Sequence, residues 1–421
     1  MSFQQGLSGL NATAQNLQII GNNIANASTY GSKTARGEFS DVYAAALNGS
    51  GSHAIGIGTT LSTVAQQFTQ GNISTTENPM DLAINGAGFF QVTDGKSPPL
   101  FTRNGQFKVD RDGYIVNNGG LRLMGYSADA QGLVQPGQAV ALQLPTAGVN
   151  PSPTREILME MNLDSRRAVT EPAAAPKIDF ADAETYNNAT SLTIYDVKGQ
   201  EVALTYFFQK SAGDKWNVYA TANGVAIGGT PPAPLATIEF PDDGSAPTAP
   251  AGPILLPQFS PGPNAAGADI VPFAAGDISL DLTKATQFGS PFGVTDLRQD
   301  GFSAGLLTAI TIESNGIVTA RYSNGRSRPA GQIEIANFRN PQGLQPVGNN
   351  AWARTYASGD PVAGVPGDSA LGNLQSGALE ESNVDLTGEL VSMITAQRAY
   401  QANAQTIKTQ DQVLQTLLNL R

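Results

Sequence analysis

Apolar side chains recur at heptad spacing at both ends of this 421-residue chain, and no other feature constrains its fold as strongly. Near the start the repeat runs through Phe3, Leu7, Leu10, Leu17 and Ile24. Near the end it runs through Leu386, Leu390, Met393, Tyr400, Ile407, Leu414 and Leu418. Alternating spacings of three and four residues are typical of the narrow apolar seam of a coiled coil. The sequence therefore predicts a helix at each end of the chain and pairing between the two helices.

Between the two predicted helices the chain has the texture of β-structure. Its 46 Gly and 26 Pro residues are typical of many short strands joined by tight turns. Asn85-Gly86 predicts a hairpin between the runs 81–84 and 89–92. Further turns are predicted at Asp112-Gly113, Asn315-Gly316 and Asn324-Gly325, and further strands at 192–195, 202–208, 216–220 and 236–240. The predicted fold class is mostly β with a terminal α-helical coiled coil.

The order of the helical and β-like patterns along the chain predicts nested, discontinuous domains. The terminal helical domain comprises residues 1–32 and 383–421, and residues 33–70 are expected to form an extended connector. An inner β domain is expected from 71–145 and 285–382, because the pattern of short strands and Asn-Gly turns in the first stretch recurs after residue 285. Residues 146–284 are then an inserted outer β domain. Within it, the Pro-, Gly- and Ala-rich stretch 241–268 predicts a long irregular loop.

The surface of the first predicted helix suggests assembly. Its positions outside the seam are mostly Gln, Asn, Ser, Thr and Ala, which can pack against another subunit without burying an unpaired charge. We therefore expect termini that are disordered in the free protein and ordered in a polymer of identical chains. The alternative is an antiparallel helical hairpin that only ties the two termini together.

Composition excludes several classes of partner. With 24 Lys and Arg against 35 Asp and Glu, the net charge of −11 disfavours nucleic acids and anionic membranes, which need a basic surface. No run approaches the roughly 18 apolar residues of a membrane helix, so membrane insertion is not expected. Residues 1–32 carry no charged side chain, which argues against a cleaved secretory signal peptide. The absence of cysteine fits either a cytosolic protein or one exported unfolded through a narrow conduit.

No pattern of residues predicts catalysis, a metal site or a cofactor. The only histidine is His53, and a zinc site is not expected from one histidine without cysteine. Asp110-Arg111-Asp112-Gly113 resembles the middle of a calcium loop, but Lys108 and Gly119 stand where the outer ligands belong. Gly86-Ala87-Gly88 lacks the third glycine of a dinucleotide fingerprint. We therefore expect a structural protein rather than an enzyme.

Several motifs resemble those of the bacterial flagellar axial proteins that build the rod and the hook. They are Leu379-Glu380-Glu381-Ser382-Asn383-Val384-Asp385-Leu386 and Gln397-Arg398-Ala399-Tyr400-Gln401-Ala402-Asn403 near the end, Asn22-Asn23-Ile24-Ala25-Asn26 near the start, and Asp81–Phe90 and Phe101–Gly105 in the body. Rod proteins of this family are shorter and lack a large insertion. The inserted residues 146–284 therefore make this chain resemble the hook type.

The resemblance implies a subunit that self-assembles into a curved hollow tube, a universal joint between rod and filament. It implies terminal helices that line the tube, an inserted domain that faces outwards, and an extracellular location reached by flagellar type III export. The implied partners are other copies of the chain, the distal rod protein, the hook cap, the hook–filament junction protein and the export apparatus. The alternatives are a distal rod or hook–filament adaptor protein and, from another class, a secreted β-rich adhesin or enzyme.

The expected assembly contacts are the heptad residues together with one charged side chain. They are Phe3, Leu7, Leu10, Leu17, Ile24, Leu386, Leu390, Met393, Arg398, Tyr400, Ile407, Leu414 and Leu418. Arg398 is included because it is a lone cation in a mostly uncharged stretch. We expect it to pair with Glu389 or with a neighbouring subunit, or else to lie on a solvated helix face.

Overall fold

The computed structural model describes residues 2–43, 56–129, 132–135, 137–145, 148–173, 175, 177–242, 246–264, 267, 269–368 and 370–419. The chain divides into two compact units. The first comprises Met1–Thr146, Thr308–Arg321 and Ser327–Arg421, and the second comprises Ala147–Leu307 and Tyr322–Arg326. Within the described residues there are two α-helices, 28 strands and two short 3-10 helices, Ala183–Thr185 and Pro341–Gly343. His53 lies outside the described residues.

The two α-helices are the terminal elements that the heptads predict. Helix α1 spans Ser2–Ala25 and helix α2 spans Leu386–Asn419. Asp385 caps α2, because its Oδ1 accepts a hydrogen bond from Thr387 N at 3.0 Å. Glu389 in the first turn of α2 adds a favourable interaction with the helix dipole. No described helix is both long enough and apolar enough to span a bilayer.

The segment expected to be an extended connector, residues 33–70, instead contains a two-stranded antiparallel ribbon. Strand β1 is Ala35–Tyr43 and strand β2 is Gly56–Gln66. A two-stranded ribbon is marginal alone, and here it packs on α1: the Nε2 of Gln5 donates to Gly56 O at 2.6 Å. Glycines allow this approach, since a Cβ on Gly37 would lie 3.0 Å from Ile19 Cδ1. The prediction failed because the ribbon is stabilised by packing on α1, and a local sequence pattern does not show which surfaces of neighbouring elements meet.

The β body of the first unit is one large sheet with smaller strand pairs beside it. The strands are β3 Ile73–Thr75, β4 Leu82–Asn85, β5 Phe89–Thr93, β6 Leu100–Thr102, β7 Phe107–Val109, β8 Ile115–Asn117, β9 Arg122–Ser127, β10 Val140–Ala141, β20 Leu307–Ile312, β21 Ile317–Tyr322, β22 Ser327–Ile333, β23 Ile335–Asn337, β24 Gln345–Gly348, β25 Ala351–Ala353, β26 Val362–Gly364, β27 Asn373–Ser376 and β28 Ala378–Glu380. The sheet runs β20-β21-β22-β9-β5-β6-β25-β24, and β27 pairs with β4 and β28 with β3. Phe90, Leu123 and Ile333 lie in its core.

Three of the predicted turns lie in hairpins, since Asn315-Gly316 connects the paired strands β20 and β21, whereas the hairpin predicted at Asn85-Gly86 was wrong. Asp112-Gly113 joins β7 to β8 and Asn324-Gly325 joins β21 to β22, and both strand pairs are antiparallel. The strands on either side of Asn85-Gly86, β4 and β5, do not pair with each other. Strand β4 pairs with β27, and β5 pairs with β6, β9 and β23. Gly86 has φ +118°, and a Cβ there would lie 2.9 Å from Gly372 Cα. This glycine serves a close contact with a distant segment rather than a local turn.

The second unit contains the remaining strands and its own core. They are β11 Glu156–Asn162, β12 Asn188–Tyr195, β13 Glu201–Ala212, β14 Lys215–Ala222, β15 Val225–Ala226, β16 Ala236–Glu239, β17 Ile254–Leu255, β18 Ser279–Asp281 and β19 Gly293–Gln299. The strands predicted at 192–195, 202–208, 216–220 and 236–240 lie in β12, β13, β14 and β16, apart from Phe240, which follows β16. This unit extends past residue 285, because β19 pairs with β11. Trp216 and Tyr206 are fully buried in its core.

Candidate assembly surface

The two terminal helices pack against each other along a seam of small and polar residues. A Cβ on Gly6 would lie 3.1 Å from Ile407 Cγ1, and one on Gly9 would lie 2.9 Å from Asn403 Nδ2. Asn403 Nδ2 also donates to Thr13 Oγ1 at 3.4 Å. Gly6, Gly9 and Thr13 belong to a three–four repeat that is rotated by one residue from the predicted leucine seam. The small residues of α1 therefore let α2 approach its backbone closely at these positions.

The helix pair is antiparallel and is fixed at its base by Asn23. Contacts from α1 meet progressively earlier positions of α2, from Ile407 opposite Gly6 to Glu389 opposite Asn23. Asn23 is buried, and its Nδ2 donates both to Glu389 Oε1 at 3.0 Å and to Ala35 O at 2.8 Å. Its Oδ1 accepts from Ala35 N at 2.9 Å. A buried amide with these hydrogen bonds ties both helices to the start of the ribbon.

Most predicted contact residues lie outside the seam within one chain. Phe3 and Leu7 on α1, and Leu386, Leu390 and Tyr400 on α2, are exposed to between 37% and 47%. Leu10, Leu17, Ile24 and Met393 are partly buried. Ile407 is the member of the predicted set that contacts the partner helix at the glycine seam. Leu414 and Leu418 lie in α2, but their side chains are outside the described part of the structure.

Most described side chains of helix α2 are exposed to solvent in the single chain. Among its described side chains, Ala396 is the one that is buried. Val391, Ile394 and Val413 are 48% to 60% exposed, and the heptad pattern does not include them. Ile394 lies three residues after Val391 and four after Leu390, and this second apolar row could have been found in the sequence. The exposed apolar surface of α2 is therefore wider than one seam.

The ribbon adds exposed apolar side chains to the same unit. Phe39, Val42 and Val64 are 37% to 45% exposed. A cavity of about 570 Å³ lies between the ribbon and the helix pair, and its walls include Phe39, Ala12 and Ala399. The sequence did not predict this surface, because residues 33–70 have only weak apolar periodicity and were expected to form a connector.

Arg398 does not pair with Glu389. Its side chain is exposed, and it makes no ion pair with any described residue. Glu389 instead accepts from Asn23. Of the alternatives in the sequence, a solvated position and a contact with a neighbouring subunit remain.

Below the helices, a buried ion cluster joins the first unit together. Glu380, at the end of β28, accepts from Lys33 Nζ at 2.6 Å, from Arg103 Nη1 at 3.0 Å and from Gly71 N at 2.9 Å. The side chains of Lys33 and Glu380 are fully buried. Arg103 is 5% exposed and lies 5.3 Å from the centre of the Phe89 ring. We call Glu380, Lys33, Arg103 and Gly71 the Glu380 cluster.

Burial governs the charges of this cluster. It lowers the pKa of Lys33, and the opposing effect of the Glu380 carboxylate is smaller. The pKa of Arg103 is lowered for the same reason and with the same partial offset. Among the described residues, Glu380 is the ion-pair partner of both cations. Within the described residues, no group of three or more His, Asp or Glu side chains is placed to hold a metal ion.

Four family models match successive parts of the chain. They are "Flagella basal body rod protein" over residues 3–33, "Flagellar hook protein FlgE/F/G D1 domain" over 83–165, "Flagellar basal body protein FlaE D2 domain" over 162–302 and "Flagellar basal body rod FlgEFG protein C-terminal" over 375–420. The two terminal matches coincide with the parts of the chain that form α1 and α2.

Relatives that match over the full length of the chain identify its family. "Flagellar hook protein FlgE" of Salmonella typhimurium is 36% identical over 424 residues, and the match covers 100% of both chains. The chain belongs to the flagellar hook protein family. Other family members include FlgE of Escherichia coli K12, 36% identical over 428 residues, and FlgE of Borreliella burgdorferi, 30% identical over 449 residues, with 100% of this chain covered in both cases.

Membership of the hook protein family confirms the resemblance found in the terminal motifs. The predicted fold class, mostly β with a helix at each end, is also confirmed. A crystal structure of the Helicobacter pylori flagellar hook protein FlgE2 matches at 15% identity with a TM-score of 0.49, covering 73% of this chain and 100% of that one. The match is too distant to add detail to the helix pair.

Proposed function

We propose that this chain is a structural subunit of the bacterial flagellar hook, and that copies of it polymerise through the exposed apolar faces of α1 and α2. The observation that carries the proposal is the exposure of Phe3, Leu7, Leu386 and Leu390 beside a helix seam made from glycine, threonine and asparagine. Large apolar side chains are thereby kept for contacts between chains. The product is a curved hollow tube that acts as a universal joint between rod and filament.

The energetics favour such contacts. Full burial of a leucine or phenylalanine side chain contributes about 1.5–3 kcal/mol, so a half-exposed one has roughly half of that still to gain. Five of the predicted contact residues and the three further α2 residues Val391, Ile394 and Val413 are in this state. Together they offer several kcal/mol per subunit interface. A helix as bare as α2 gains little from its own chain and needs this burial to be stable.

The charge of the helices suits repeated packing. Helix α1 contains no charged side chain, and α2 contains Glu389, Arg398, Lys408 and Asp411, two of each sign. Such a surface can be buried between copies if its unpaired charges find partners there. Arg398 and Lys408 make no ion pair with any described residue, and we propose that Arg398 pairs with a neighbouring subunit. Contacts between different faces of identical chains form a closed ring or, where the rotation between copies does not close, a helical filament, and a tube requires the second case.

In the proposed hook, the terminal helices line the tube and the second unit, Ala147–Leu307 with Tyr322–Arg326, faces outwards. We further propose an extracellular location reached by flagellar type III export without a cleaved signal peptide. The proposed partners, besides other copies of the chain, are the distal rod protein, the hook cap, the hook–filament junction protein and the export apparatus. These proposals rest on family membership, the uncharged first 32 residues and the absence of cysteine.

The test is electron microscopy of flagella from a strain that lacks the gene, complemented with variants. We expect bare rods without the gene and with Leu7→Gln or Leu390→Gln, and normal hooks with the intact chain. Leu133→Gln is the matched control, since Leu133 is 68% exposed in the β body of the same unit. The purified variants should unfold at the same temperature as the wild type, because exposed substitutions cost within about 0.5 kcal/mol.

Removal of residues 1–25 should likewise leave a folded β body that cannot form a tube. Normal hooks in the Leu7→Gln and Leu390→Gln strains would contradict the proposed interface. Hooks without filaments in the strain that lacks the gene would point to the hook–filament adaptor instead. Intact flagella in that strain would reject a role in the axial structure altogether.

A further inference from the structure

The Glu380 cluster is where the chain passes between the β body and the helices. Lys33 lies on the segment between α1 and the ribbon, Gly71 lies on the segment that returns from the ribbon, and Glu380 lies just before α2. Arg103 belongs to the body, and its Nη2 donates to Gly86 O at 2.9 Å. The carboxylate of Glu380 therefore accepts hydrogen bonds from two of the segments that flank the helices, at Lys33 and Gly71, and from the β body, at Arg103. Glu380 itself lies on the third segment, which continues into α2.

A second layer of hydrogen bonds lies next to the carboxylate. Asn383 Oδ1 accepts from both Thr34 N and Thr34 Oγ1 at 2.8 Å. Asn383 Nδ2 donates to Gln67 O and to Thr69 Oγ1, both at 2.8 Å. The backbone of Glu380 joins in, since Gly31 N donates to its carbonyl oxygen at 2.8 Å. Each contact links segments that are more than 300 residues apart in sequence.

The backbones at this point are in close contact. A Cβ on Gly71 would lie 2.0 Å from Glu381 O, and a Cβ on Gly31 would lie 2.5 Å from Asn104 N. Gly31 also has φ +70°, a conformation that favours glycine. Because the segments touch through their main chains, a small shift of one must displace the others.

We infer that the Glu380 cluster is a clamp that holds the segments entering and leaving the helices in one arrangement on the β body. Two buried cations, Lys33 and Arg103, face a single carboxylate, so loss of that carboxylate leaves both cations buried and unneutralised. The clamp is a route by which a force on either helix reaches the body. It acts within one chain, and it stands whether or not the helices assemble as proposed.

The experiment is hydrogen–deuterium exchange of the full chain, read by mass spectrometry, for the wild type and Glu380→Gln. The substitution keeps the shape of the side chain and removes its charge. We expect exchange to accelerate on the order of 100-fold at 31–34 and 67–72, because breaking a buried ion pair releases the segments that it joins. Exchange at β5 and β23, in the body, should stay as in the wild type.

Glu334→Gln is the matched control, because Glu334 is a buried carboxylate of the same unit that bonds Tyr126 rather than the clamp. It should leave exchange at 31–34 and 67–72 unchanged. Asn383→Ala provides a second route if Glu380→Gln does not fold: exchange at 34 and 67–69 should rise about tenfold. Unchanged exchange at these segments, or an equal rise across the whole first unit, would overturn the clamp.

Discussion

Gly9 and Asn403 meet across the helix pair so closely that a Cβ on the glycine would lie 2.9 Å from the Asn403 amide nitrogen. The smallest residue of α1 therefore sits at a close contact with α2, whereas Leu7, two positions earlier, is 44% exposed.

Gly9→Leu should separate the two helices. The new side chain must displace the Asn403 amide and then fit between the helices, whereas Gly21→Leu meets no atom within 4 Å at its Cβ and is the control. Away from the contact, replacement of a helical glycine is favourable by up to about 1 kcal/mol. We expect Gly21→Leu to raise helix content by circular dichroism and Gly9→Leu to lower it. Equal helix content in the two variants would show that the seam does not lie at Gly9.

Gly31→Ala should destabilise the first unit more than Gly95→Ala does. Both glycines have positive φ, +70° and +78°, so both variants carry about 1–2 kcal/mol of backbone strain. Gly95 has open space at its Cβ position, whereas Gly31 lies against Asn104. We expect Gly31→Ala to lose roughly 3 kcal/mol or more in urea unfolding. Similar losses for both variants would mean that strain alone, and not crowding, requires the glycine.

Glu334 should make the first unit less stable as the pH rises. Burial raises its pKa above the usual value of 4.5, and the Tyr126 hydroxyl, which donates to it at 2.8 Å, offsets only part of this. A carboxyl whose pKa is raised by folding binds its proton more tightly in the folded state. Stability is therefore lost as the pH rises from 4.5 through the folded pKa. Glu334→Gln should remove this slope, as measured by urea unfolding at several pH values.

Tyr126 should give a second pH effect, on the alkaline side. Burial and the Glu334 carboxylate raise its pKa to about 12 from 10.0. The unfolded chain therefore ionises this phenol first, and stability falls as the pH rises from 10 towards 12. Tyr126→Phe should remove one late-titrating phenol from the ultraviolet absorbance titration. An unchanged titration curve would contradict the raised pKa.

Trp216→Ala should unfold the second unit and spare the first. The indole is fully buried, and its Nε1 donates to Gln287 Oε1 at 3.2 Å, so its loss should cost about 3–5 kcal/mol. The chain has two tryptophans, and Trp352 lies in the first unit. In the variant, Trp352 fluorescence should report an unchanged transition, while calorimetry shows an earlier one. A single shifted transition would show that the units unfold together.

The sequence by itself determined the elements whose patterns are local. Apolar periodicity located α1 and α2, alternating runs located β12, β13 and β14, and Asp112-Gly113 and Asn324-Gly325 located hairpins. These succeed because helix and strand periods are set by neighbours in the chain.

Only the tertiary structure decided which faces and segments meet. It rotated the helix seam by one residue to Gly6 and Gly9, paired β1 with β2 against α1, and sent Asn85-Gly86 into a contact with Gly372. It also buried Glu380 between Lys33 and Arg103, which lie 347 and 277 positions away in the chain. Close backbone approach and a shared buried charge depend on residues that are distant in sequence, so no local pattern could have revealed them.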